Sequence, residues 1–190
     1  MPQASLAHEA AQLIDRLDRL VRSGEVAHGL NPAQWEALRY IARANRFSRT
    51  PAALAAYLGT TRGTVSQSLI SLEVKGHIAR TQSTHDKRSV NLALTAQGEA
   101  ALVDDPLTRL AADIASSRSS DVASVVTLLR DTLARALARN GSKPFGVCRT
   151  CLHFQTTPGS KSGYARCTLL DEPLSRDDSL AICAEQEVAM

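Results

Sequence analysis

Aromatic side chains are scarce in this sequence, 4% of 190 residues, with a single tryptophan. A β-sandwich core draws on aromatic and β-branched residues, so an all-β architecture is disfavoured, and the abundance of Ala and Leu points to helices. Cysteine is absent from the first 147 positions, which leaves no thiol chemistry there. No run of eighteen apolar residues occurs, and Glu9, Asp15, Arg16, Asp18 and Arg19 interrupt the N-terminal stretch, so neither a membrane span nor a leader is expected. A cytoplasmic protein is therefore expected. Residues 1–140 also lack a nucleophile–base arrangement and a phosphate-binding glycine loop, which argues against an enzyme.

What remains is a chain of average composition, 44% hydrophobic and 22% charged, with a formal net charge of +3. The basic excess lies in residues 1–140, with 17 Lys/Arg against 13 Asp/Glu; residues 141–190 carry 5 against 6. A polyanionic partner is permitted for the first part. All four cysteines, Cys148, Cys151, Cys167 and Cys183, fall in the second part. The helical pattern stops at Asn140-Gly141-Ser142-Lys143-Pro144, so the division is placed near residue 141: a 1–140 domain and a 141–190 cysteine module.

Leu6, Ala10, Leu13, Ile14, Leu17, Leu20 and Val21 recur at helical spacing in the first segment. Asn31-Pro32 and Thr50-Pro51 each pair an N-cap acceptor with a proline at the first helical position, and Thr61 caps a further helix that stops at Gly76. Two short helices joined at Gly59 are the ingredients of a helix-turn-helix. The second would bury Val65, Leu69 and Leu72 and present Arg62, Thr64, Gln67, Ser68 and Ser71, side chains suited to phosphates and base edges, although a plain solvated face has the same composition. Alternation around Ile78 and through Val90, Leu92 and Leu94 predicts a hairpin whose turn carries Asp86, Lys87 and Arg88, completing a winged helix. Thr95 caps a long helical region to about Ser117, and a last helix runs through Val122, Val125, Val126, Leu129, Leu133 and Leu137. That last helix is apolar over more width than a small core covers, so a partner surface is expected, with packing on its own first helix as the rival. Trp35 and Tyr40 are read as core or interface aromatics, and a small-molecule pocket stays open.

The order from Ser5 to Arg139 resembles the MarR family of winged-helix transcriptional regulators. The resemblance rests on Thr64-Val65-Ser66 running to Leu72-Glu73 and Gly76, on Asp86-Lys87-Arg88 matching a D-x-R wing signature, and on Leu94-Thr95 with Gly98. It implies a mainly α winged-helix (α+β) fold and a homodimer with intertwined terminal helices. It also implies two winged helices on a pseudopalindromic double-stranded DNA operator, with Asp86 bracing Arg88 and with Arg62, Thr64, Gln67 and Ser68 facing DNA.

A module of this size buries little of its own surface, so a metal centre is a reasonable source of stability. Four thiolates suit tetrahedral zinc, and ligands arriving from separate loops suit a four-iron iron–sulfur cubane. His153 could replace a ligand, against the plainer reading of a surface histidine. Cys148-x2-Cys151-x2-Phe154, Cys167-Thr168-Leu169-Leu170 and Cys183 resemble the high-potential iron–sulfur protein pattern, departing from it where Ile182 stands in place of the usual Trp. That resemblance implies an iron–sulfur cluster ahead of zinc. Its attachment directly after the last helix suggests that cluster state, through redox, oxygen or iron supply, sets the spacing or order of the two winged helices and so the operator affinity. The competing functions are the same regulator with structural zinc, and a redox or electron-transfer protein that does not bind DNA.

Overall fold

The computed structural model describes residues 5–25, 29–82, 90–156 and 165–187. Helix α1, Leu6–Glu25, leads into α2, Pro32–Arg43. Asn31 caps α2 with a reciprocal capping box: its side chain accepts from Gln34 N, and the Gln34 side chain accepts from Asn31 N. The same local chemistry starts α3, Pro51–Tyr57, at Thr50, and α4, Arg62–Val74, at Thr61. Gly76, at φ +77°, takes the left-handed turn that ends α4 and starts the hairpin of β1, Ile78–Gln82, and β2, Val90–Leu94, antiparallel with Ile78 opposite Leu94. Thr95 caps α5, Ala96–Val103, and Gly98 packs so closely that a Cβ there would lie 2.1 Å from the His77 carbonyl oxygen.

One expectation fails here. The helical region from Ala96 to Ser117 is two helices, broken at Asp104-Asp105, after which Pro106 opens α6, Pro106–Ala115. Asp105 accepts from Leu107 N, the same cap-plus-proline device seen at Asn31-Pro32. Its carboxylate also takes both arms of the Arg39 guanidinium, tying α6 to α2. Helix α7, Ser119–Arg139, then runs with none of its residues buried.

Trp35, Leu38, Tyr40 and Ile41 of α2, Leu54 of α3, Val65, Leu69 and Leu72 of α4, and Ile78 and Leu92 of the hairpin form the main core. Ile182, far along in the cysteine module, belongs to the same core. The module is built from short pieces: β3, Gly146–Val147, pairs with β7, Ile182–Cys183, and β4, Phe154–Thr156, β5, Ala165–Cys167, and β6, Glu172–Leu174, form an antiparallel sheet. A 3-10 turn, Cys148–Thr150, and helix α8, Arg176–Leu180, complete it.

Burial opposes ionisation of Asp105, yet the Arg39 guanidinium and the Leu107 N–H outweigh it and hold the carboxyl below the usual carboxylate range. Its contribution is therefore present above the unfolded aspartate pKa of about 3.9 and is lost as the pH falls through the lower folded value. Asp105→Ala is expected to cost about 2–4 kcal/mol at neutral pH, through the stranded arginine and the lost cap. Urea unfolding should show that gap shrinking toward pH 2.

Candidate nucleic-acid interface and cysteine site

Helix α4 has one sealed face and one open one. Val65, Leu69 and Leu72 are buried, while Arg62, Thr64 and Gln67 are exposed and Ser68 is half-buried beside them. Thr64 stays close to the helix start, its N–H donating to the Thr61 hydroxyl and the two hydroxyls 3.0 Å apart. Ser71 is turned elsewhere: its hydroxyl accepts from Gln34 Nε2 at 2.8 Å, so it fastens α4 to α2. Beyond it Ile70 and Val74 are exposed, an apolar stretch that the helical spacing alone did not single out. Arg80 on β1 lies 3.6 Å from Glu73 of α4, which joins the hairpin to that helix. The expected wing residues Asp86, Lys87 and Arg88 lie outside the described residues.

The four cysteines come together. Cys148, Cys151, Cys167 and Cys183 line one small pocket with His153, Phe154, Leu170, Leu174 and Glu185, and the space between them is about 10 Å³, room for about one water-sized sphere. All four are free thiols. Cys148 and Cys183 are buried and hydrogen-bonded to each other, so one ionises far more readily than the other. The Cys148 S–H lowers Cys183 to about 6 against the opposing effect of burial, with help from the Glu185 N–H, Asn45 and Ser48. Burial and the same sulfur pairing push Cys148 up. Other donors point at sulfur: Asn45 Nδ2 donates to Cys148 Sγ at 3.2 Å, and Glu187 N to Cys151 Sγ at 3.4 Å.

His153 differs from the surface histidine expected. It is half-buried at the pocket, with Nε2 lacking a hydrogen-bond partner and lying 3.5 Å from a Glu187 carboxylate oxygen. Among the described residues no group of three or more His, Cys, Asp or Glu is arranged to hold a single metal ion. The residues nonetheless fit a thiolate-bound centre in kind: four sulfurs, an apolar lining from Phe154, Leu170 and Leu174, and N–H donors aimed at two of the sulfurs.

Sequence reasoning missed the residues that carry the module. Arg46 pairs with the buried Asp178 and donates to the Pro173 carbonyl, and its guanidinium lies over the Phe47 ring, 4.4 Å from the centroid. Phe145 packs edge-on against Tyr57 and Tyr40 at centroid distances of 5.2 and 6.4 Å. Nothing in the spacing of Arg46 or Phe145 distinguishes them from solvated or linker residues.

With this geometry in view, the fold defines a class: a winged helix framed by long helices. Residues 28–89, a third of the chain, match the family model described as the MarR family. The chain superposes on the MarR transcriptional regulator of Methanosarcina mazei Go1 with a TM-score of 0.55 at 19% identity, covering 68% of this chain and 96% of that one. CouR from Rhodococcus jostii RHA1, solved bound to p-coumaroyl-CoA, gives 0.53 at 23% identity, covering 68% and 89%. A variant of MepR from S. aureus gives 0.50 at 18% identity, covering 70% and 96%. These likenesses speak to the fold. No curated protein matches the sequence. Among the described residues no helix is long and apolar enough to cross a membrane.

Titration of the metal-free protein in the thiolate ultraviolet band is expected to show one thiolate forming near pH 6. Cys148→Ala removes the donor that favours it, so that step should move to higher pH.

Proposed function

We propose that the protein is a DNA-binding transcriptional regulator of the MarR type, not an enzyme, acting as a homodimer whose cysteines hold an iron–sulfur centre that modulates DNA affinity. The observation that carries the DNA-binding reading is the open face of α4: Arg62, Thr64 and Gln67 stand exposed on a helix whose other face is sealed into the core, beside a hairpin. A helix held rigidly from behind, with hydrogen-bonding side chains in front, is what reading a major groove requires. Ser68 sits at the edge of this face, whereas Ser71 supports it from behind. Lys87 and Arg88, which fall between β1 and β2 in sequence, would add phosphate or minor-groove contacts, with Asp86 bracing Arg88.

Dimerisation is supported by apolar surface that one chain leaves uncovered. Leu13, Ile14, Leu17 and Leu20 of α1 and Val125, Leu128, Leu129 and Leu133 of α7 are all exposed, more apolar surface on each helix than the scattered residues of an ordinary surface. A second copy presenting the same face covers both and sets two copies of α4 for a two-fold symmetric operator.

For the cysteines, Cys148, Cys151, Cys167 and Cys183 would supply the thiolates, with Asn45 Nδ2 and Glu187 N as donors to sulfur. When bound, an iron–sulfur centre supplies a group whose redox state and occupancy respond to oxidants and iron supply. The chain's own residues do the rest: Phe154, Leu170 and Leu174 provide apolar cover, and the donors favour charged sulfur. Zinc on the same four thiolates is the alternative.

A duplex enriched from a random-sequence library by the purified protein provides the ligand for testing DNA binding. Arg88→Ala should weaken binding to it and reduce the salt slope by about one, with the dimer intact by sedimentation. Binding unchanged in strength and salt slope would contradict the wing assignment, and failure to enrich any duplex would contradict the regulator reading. For the cofactor, anaerobically purified protein should be brown, with a broad visible band and iron and sulfide in matching amounts. Colourless protein with stoichiometric zinc would replace the cluster by the structural-metal alternative.

A further inference from the structure

The route by which the cysteine site reaches the DNA-binding elements is set by what it touches. The turn between α2 and α3, residues 44–50, has the cysteine module on one side and the hairpin on the other. On the module side, Ala44 forms a parallel bridge with Ile182, and Asn45 N donates to Ile182 O at 2.8 Å. Ala184 N donates to Ser48 Oγ at 2.8 Å, so both neighbours of Cys183 are fastened to the turn. Phe47 packs against the small cluster that contains Cys148 and Cys183. On the other side, Leu92 N of β2 donates to the Arg49 carbonyl at 2.7 Å, and Thr50 caps α3.

Asn45 spans the two. Its Nδ2 donates to Cys148 Sγ, while its Oδ1 accepts from Phe47 N at 3.1 Å and from Ser48 N at 2.9 Å. It is 1% exposed, so water cannot stand in for a lost partner. The amide is planar and rigid, and displacing its nitrogen end displaces the oxygen that shapes the turn.

We propose that the turn reads the loading of the four cysteines within one chain, with Asn45 as the positioning residue that couples Cys148 to the helix-turn-helix and the hairpin. The inference rests on the reading of the cysteines as a metal–thiolate centre. A bound centre fixes the Cys148 and Cys183 sulfurs and so fixes the partner of Asn45 Nδ2. Losing the centre frees those sulfurs, leaves a buried donor without a held acceptor, and loosens the turn, the start of α3 and the Leu92 contact together. This route does not pass through α7. Among the described residues, the hydrogen bonds that residues 143–187 make outside the module end on residues 45–48, while Gly141 N and Ser142 N donate to the Ala138 and Leu137 carbonyls at the end of α7.

The test is hydrogen exchange on the full-length protein, loaded anaerobically with ferrous iron and sulfide in one arm and with zinc in the other, before and after removal of the metal by a chelator. Metal removal should speed exchange at Ser48, Leu92 and the first turn of α3 by about tenfold or more and leave α7 unchanged. The arm that shows the effect identifies the centre. Asn45→Asp keeps the Oδ1 acceptor but removes the donor to sulfur. The loaded variant should show a shifted metal–thiolate absorption band, and exchange in its turn should no longer depend on the metal. Ser48→Ala, which removes only the Ala184 tie, should lose part of that dependence and supplies the test if Asn45→Asp does not fold. Exchange at the turn that ignores metal removal, a response confined to α7, or full dependence retained in Asn45→Asp (in Ser48→Ala, where that variant stands in for it) would overturn the relay. Failure to bind either metal is a separate result, which removes the metal–thiolate reading and the relay with it.

Discussion

A primary amide buried at position 45 must have its donors and its acceptor satisfied within the protein, and that requirement organises the meeting of the two halves of the chain. Asn45 meets it with a cysteine sulfur on one end and two backbone N–H groups of its own turn on the other. Around this point lie Tyr40, whose hydroxyl donates to the Ser48 carbonyl, and Arg46, which holds Asp178. Burial pushes the Tyr40 hydroxyl pKa up, so it remains a donor at any physiological pH. The cysteine module is thus built onto the winged helix at the turn that starts the helix-turn-helix, and Ile182 completes the winged helix's own core.

The helix starts were legible because their chemistry is local. An acceptor at the N-cap, with a proline behind it at Asn31 and Thr50, can be read within two positions, and Asn31, Thr50, Thr61 and Thr95 all cap the helices that their sequence context implies. Asp105-Pro106 carries the same mark, but the apolar spacing of Val103, Leu107 and Leu110 continues across it and hides the break. Periodicity also identified the buried face of α4. It could not show that Ser71 is taken by Gln34, because that depends on how α2 crosses α4.

For the cysteine site, the gathering of four thiols was implied by their segregation at one end of the chain. Its surroundings were not, because Asn45 and Cys148 lie 103 positions apart and Arg46 and Asp178 lie 132 apart. Such contacts leave no periodic or capping trace; an Asn ending an amphipathic helix reads as an ordinary C-terminal residue. The same limit explains why attachment after α7 drew attention to the dimer helices, while the ties of Asn45, Arg46 and Ser48 to the module left no trace in the sequence.

Because these ties are buried on both sides, the cysteine module and the winged helix are expected to unfold as one unit held at that turn. Trp35, the single tryptophan, is fully buried in the winged-helix core, and Cys148 and Cys183 are buried in the module, so each half carries its own reporter. Tryptophan fluorescence and mass-mapped alkylation of Cys148 and Cys183 should be followed across one urea titration of the full-length protein. Coincident midpoints are expected. Alkylation of both cysteines at urea concentrations where Trp35 is still in its native environment would show that the two halves unfold separately and are not one unit.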